Sequence, residues 1–161
     1  MIWLRARLNS WSRFRRLPAC ERWLCVQAVP VLLVTIAGLR LFGLRRWQSV
    51  LTHLTPPQPY RVEQDGEAAA RRARLVARAV RRAAIHGPCR GTCLAEALVV
   101  WSLLRRHGID GDLQIGVRRS ETGVEAHAWV AVQGQTVIGG DNLVTGFVSF
   151  GRSIGTPGVV R

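Results

Sequence analysis

The hydrophobic period of this 161-residue chain changes once, at Gly108, and that change limits the folds open to it. Before Gly108 the apolar residues recur at helical spacing. After it they alternate, with Leu113, Ile115 and Val117 facing one way, followed by Ala126, Ala128, Val130 and Val132. A 3.6-residue period places one stripe against a core, whereas a two-residue period places one sheet face there. Helices followed by an antiparallel sheet is the α+β order. A length of 161 residues with a hydrophobic fraction of 48% suits one domain with an appendage.

The appendage comes first. Residues 1–16 are rich in Arg and Trp (Trp3, Arg5, Arg7, Trp11, Arg13, Arg15, Arg16), and an apolar run at 24–39 ends at Arg40. That run is shorter than the ~20 residues of a spanning helix and is weakened by Gln27, Pro30 and Gly38, so it predicts a buried or interfacial helix. No A-x-A site precedes Arg40, so removal as a secretory signal is not expected. Residues 41–54 continue at helical spacing (Leu44, Trp47, Val50, Leu51, Leu54) until Thr55-Pro56-Pro57-Gln58-Pro59 stops them. A linker at 55–65 separates a basic helical region, 1–60, from a main domain, 61–161.

In the main domain, 67–86 reads as a helix with Leu75, Val76, Ala79, Val80 and Ala83 inward and Arg71, Arg72, Arg74, Arg78, Arg81 and Arg82 solvated. Gly87-Pro88 stops it. A second helix at 93–107 has Thr92 as N-cap, an inward stripe of Leu94, Leu98, Trp101 and Leu104, and Gly108 just past its end. The strand pair turns at 119–123, Gln133-Gly134-Gln135 leads to a third strand near 136–139, and 142–150 supplies a fourth.

Charge is divided as unevenly as period. All 23 basic residues are Arg, and residues 1–90 hold 17 of them against 4 acids, whereas 91–161 hold 6 against 6. The surplus suits an acidic partner and says nothing of fold. No phosphate-binding or dinucleotide glycine pattern occurs, so no cofactor is implied. The cysteines Cys20, Cys25, Cys89 and Cys93 read as reduced thiols. Cys89 and Cys93 lack a second pair, and His107 falls at the far end of a helix, so no metal is expected. His53, His86 and His107 each sit at a helix C-terminus, where the dipole accounts for them.

Three residues remain for chemistry, with Trp129 beside them. A cysteine opening a helix, as Cys93 does, has its sulfur near unpaired N–H groups and the positive dipole end, which favours the thiolate. The other reading is a buried structural thiol. His127 lies mid-strand between the small residues Ala126 and Ala128, and a base there could take the thiol proton. Asp141 ends the next strand, where a carboxylate could orient the imidazole; the alternative is an Asp-Asn turn after Gly139-Gly140. Trp129 shares the His127 face and is either a substrate-facing wall or core.

Thr92-Cys93-Leu94-Ala95-Glu96-Ala97-Leu98, Leu103-Leu104-Arg105-Arg106-His107-Gly108, Leu113-Gln114-Ile115-Gly116-Val117 and Ala126-His127-Ala128-Trp129-Val130 with Gly134, in that order, resemble the lasso-peptide biosynthesis B2 family. The resemblance covers about residues 65–150. It implies a transglutaminase-like, papain-like cysteine peptidase with Cys93 as nucleophile, His127 as base and Asp141 as orienter, needing no cofactor. It also implies partners: a precursor peptide bound through its leader, a separate B1-type recognition element protein, and an asparagine-synthetase-like cyclase that closes the macrolactam. The expected location is the cytoplasm, with peripheral membrane contact of the basic helices left open and no nucleic acid. Two readings compete: acyl transfer to an amine by the same residues, and a non-enzymatic basic protein that grips nucleic acid or membrane.

Overall fold

In the computed structural model the described residues are 18–55, 66–87, 91–120, 123–140 and 146–149. Among the described residues three helices, α1 (Ala19–Leu54), α2 (Gly66–His86) and α3 (Cys93–Arg106), precede four strands, β1 (Asp112–Ser120), β2 (Gly123–Val132), β3 (Gln135–Ile138) and β4 (Val148–Ser149). The strands form one antiparallel sheet in the order β3-β2-β1-β4.

Helix α1 differs most from expectation. Arg40 is exposed on its side and does not end it; the interruption comes at Gly43, whose φ of 72° and ψ of 171° leave the helical region. Residues nine apart on a straight helix are ~13.5 Å apart. A Cβ on Gly38 would nevertheless lie 2.2 Å from Cδ2 of Trp47. The arms 19–42 and 44–54 therefore fold back on each other, with the Trp47 indole filling the space a side chain at 38 would need. Phe42 stacks on the same indole at 6.4 Å between ring centroids. The apolar helix thus exceeds the charge-free run that forecast it, and Glu21–Leu54 is long and apolar enough, by length and composition, to cross a membrane.

This hairpin is fastened to the other helices. Glu21, buried, pairs with Arg82, an arginine whose spacing had placed it on a solvated face. Burial pushes the Cys25 thiol above its ordinary pKa, with Arg82 opposing and Glu21 reinforcing that shift. The protonated Sγ donates to the Ala79 carbonyl across 3.8 Å. Arg105 Nε donates to the Thr55 carbonyl at 3.1 Å, tying α3 to the end of α1. Ala28, Leu32, Trp47 and Leu51 lie in the same core as Val76 and Val80 of α2 and Leu98, Trp101 and Leu104 of α3. Alanines on the buried side of α2, among them Ala73, Ala77 and Ala84, keep its surface low enough for close packing. Of the inward positions predicted for α2, Leu75 is only half-buried.

The strand pattern carries over into register. Leu113 pairs with Val130 and Ile115 with Ala128, and these four meet the helices; Val117 pairs with Ala126 beyond that core, where Ala126 is exposed despite its place in the alternation. Gln133 and Gly134, with φ of 51° and 77°, make the β2–β3 turn in two residues, so β3 starts at Gln135, one position earlier than expected. The described part of the fourth strand is short: Val148 and Ser149 pair with Val117 and Gly116.

Candidate active site

Thr92 has extended backbone (ψ 158°), and its Oγ1 accepts from the Ala95 N–H at 3.3 Å, which starts α3 at Cys93. Cys93 is an exposed free thiol. Its position gives the sulfur access both to solvent and to the positive end of the helix.

His127 lies on β2 opposite Gly116 of β1, half-buried. By alternation it and Trp129 point away from the face carrying Ala128 and Val130. Its Nε2 is 2.9 Å from the Gly139 carbonyl oxygen. A carbonyl can only accept, so Nε2 donates, and in the neutral ring the lone pair is left on Nδ1. Gly139 can make this bond because it is glycine: its φ is 111°, and a Cβ would fall 2.5 Å from Cβ of Trp129 and 3.3 Å from Nε2 of His127.

Aromatic rings surround the imidazole. Trp129 is 4% exposed and stacks beside it at 6.4 Å, too deeply set to form a solvent-facing wall. A Cβ on Gly116 would meet Cη2 of Trp129 at 2.8 Å, so the indole lies directly over that glycine. Phe147 approaches His127 at 5.6 Å, and the Arg118 guanidinium covers Phe147 at 4.7 Å. Glu125, the cross-strand neighbour of Arg118, bonds that guanidinium at 2.7 Å, and this bond lowers its carboxyl pKa below the ordinary value.

Glu96 is the acid of the first turn of α3. It lies one turn beyond Cys93, half-buried, with Cγ and Oε1 3.1 and 3.2 Å from where a Gly91 Cβ would be. Burial pushes its carboxyl above the usual carboxylate range, against the pull of Arg81 and His127. A carboxyl with a raised folded pKa stabilises the fold below its unfolded pKa, and that stability is lost as pH rises through the folded value. Glu96→Gln should therefore gain stability over wild type as pH climbs out of the carboxylate range, and show no gain at the acid end. Urea midpoints of both proteins from about pH 4 to about pH 8 check this, and a gap independent of pH would refute it.

The arrangement suits nucleophilic acyl chemistry: an exposed thiol at a helix N-terminus, and an imidazole oriented from one nitrogen, with the lone pair left on the other. Residues 32–150 match the family model described as transglutaminase-like superfamily. The chain belongs to that superfamily. No curated protein and no solved structure matches significantly. Transglutaminase-like proteins carry cysteine-dependent activity of the peptidase or acyltransferase type, and the helices with a small antiparallel sheet agree with that membership.

Of the residues singled out in the sequence, Cys93, His127 and Trp129 lie in this transglutaminase-like domain as described, while Asp141 and Cys89 lie outside the described residues. Sequence reasoning had given no role to Glu96, the Gly139 carbonyl, Phe147 or Arg118. Glu96 could have been noticed as an acid one turn from the cysteine, and Gly139 as half of a Gly-Gly pair after a strand. Nothing in the local pattern marks Phe147.

Proposed function

We propose that this protein is the cysteine peptidase that releases the leader from a lasso-peptide precursor, acting in the cytoplasm with a separate leader-recognition protein and a macrolactam-forming cyclase. The observation that carries this reading is the exposed Cys93 thiol at the start of α3, together with a His127 ring on β2 held through Nε2 at the Gly139 carbonyl. Membership of the transglutaminase-like superfamily supports the acyl chemistry. The block resemblance around Cys93 and His127 supports the substrate. The excess of arginine in residues 1–90 fits an acidic peptide or protein partner.

In this mechanism His127 Nδ1 takes the Cys93 proton, and the thiolate attacks the carbonyl of the bond between leader and core. The backbone N–H of Cys93 is one donor to the resulting oxyanion. Collapse expels the core amine, which receives the proton from His127, and water then hydrolyses the thioester on the leader. Asp141 is proposed as the carboxylate that favours the imidazolium, two residues beyond the carbonyl that holds Nε2.

Incubating the protein with its precursor peptide and the recognition partner, and reading peptide masses, tests this. Release of intact leader and core is expected. A product mass that joins two chains would instead assign acyl transfer to an amine. Intact peptide, in the presence of partner that binds the leader, would remove the peptidase assignment.

A further inference from the structure

The outward side of the first arm of α1 has no partner among the described residues. Trp23, Val26, Pro30, Val34, Ala37 and Leu41 are all exposed, at intervals of three or four residues, so they form one continuous apolar stripe. Trp23 is 63% exposed, Val34 56% and Leu41 76%. Only 28% of the most apolar window of this helix is buried.

Charge is absent along the stripe and present where it stops. No Asp, Glu, Lys or Arg occurs from Trp23 to Leu39, whereas Arg22 stands at one end and Arg40, Arg45 and Arg46 at the other, all exposed. The opposite side of the same arm is committed to the core: Cys25, Ala28, Leu32 and Thr35 are buried, and Glu21 is paired with Arg82. A helix fixed along one side, apolar along the other and bounded by arginine has the amphipathic plan of an interfacial helix.

We infer that α1 docks the folded protein on the surface of an anionic lipid bilayer, with the stripe from Trp23 to Leu41 sunk among the acyl chains and Arg22, Arg40, Arg45 and Arg46 at the phosphates. The occupant is lipid because the charge at both ends matches anionic headgroups, and because Trp23 sits where the apolar stripe meets the first arginine, as interfacial tryptophans do. The arm lies in the plane of the membrane: upright insertion would strip Ala28 and Leu32, 0% and 2% exposed, from α2 and α3. This docking does not depend on the reaction at Cys93.

The full chain, sedimented with phosphatidylcholine vesicles and with vesicles that also contain phosphatidylglycerol, provides the test. Pelleting with the anionic vesicles, weakened by salt and reversed by alkaline carbonate, is expected. Val34→Glu with Leu41→Glu should lower the partition coefficient at least about tenfold. Arg40→Gln, Arg45→Gln and Arg46→Gln together should lower it on the order of a hundredfold. All five positions are exposed, and unchanged circular dichroism of each variant confirms that folding is intact. Absence of pelleting, equal pelleting of the glutamate variant, retention after carbonate as for a spanning helix, or a concentration-dependent dimer that the glutamate pair dissociates would each overturn the inference.

Discussion

Replacing Cys93 by alanine should abolish leader release, a loss on the order of 10⁴-fold or more, while leaving the unfolding midpoint close to that of wild type. The two halves of this expectation belong together. Cys93 is exposed and caps nothing, since the cap is made by Thr92 to the Ala95 N–H, so its sulfur contributes little to packing. A large loss of activity without loss of stability would therefore report on chemistry alone. His127→Ala should fall to a similar level, because the thiol must give its proton to Nδ1 and the departing amine must take that proton back. Single-turnover mass spectrometry on the precursor measures both variants. Retention of more than a tenth of wild-type activity by Cys93→Ala would exclude it as the nucleophile.

Leu98→Ala should cost about 3 kcal/mol of stability, read as the shift in urea midpoint at constant m-value. Leu98 is 0% exposed and faces the core where α1, α2 and the sheet converge on α3. The surrounding side chains are themselves fully buried, Trp101, Val80 and Val130 among them, and cannot relax far into the gap. Leu41→Ala removes the same atoms from a site 76% exposed and should stay within about 0.5 kcal/mol of wild type. If the two variants lost equal stability, the core assigned to α3 would be misplaced.

Helix α3 was legible because every signal for it is local. Thr92 caps, Leu98, Trp101 and Leu104 repeat at helical spacing, and Gly108 takes the positive φ of 67° that ends the helix. The strands were legible from alternation, which fixes which residues pair once the turn at Gln133-Gly134 is recognised. The fold-back of α1 was not, because contact of Trp47 with Gly38 follows no periodicity, and a glycine within an apolar run gives no warning of the direction the chain takes. Nor was the Glu21–Arg82 pair, which joins residues 61 apart through the packing of two helices. The site divides in the same way. The places of Cys93 at a helix start and His127 within a strand could be read from their own neighbours, whereas the tie from His127 to Gly139 arises where β3 ends beside β2, and the proximity of Phe147 comes from pairing of β4 with β1.

The acceptor that holds His127 belongs to the main chain, and this has a bearing on how the site tolerates genetic drift. A side-chain partner can be deleted by a single codon change, but a carbonyl survives any substitution that leaves the path of the backbone intact. Residues around the site can thus vary without freeing the imidazole, and the tautomer is inherited with the fold. The exposure to mutation is concentrated instead in Gly139, where any side chain would press on Trp129 and shift the carbonyl itself.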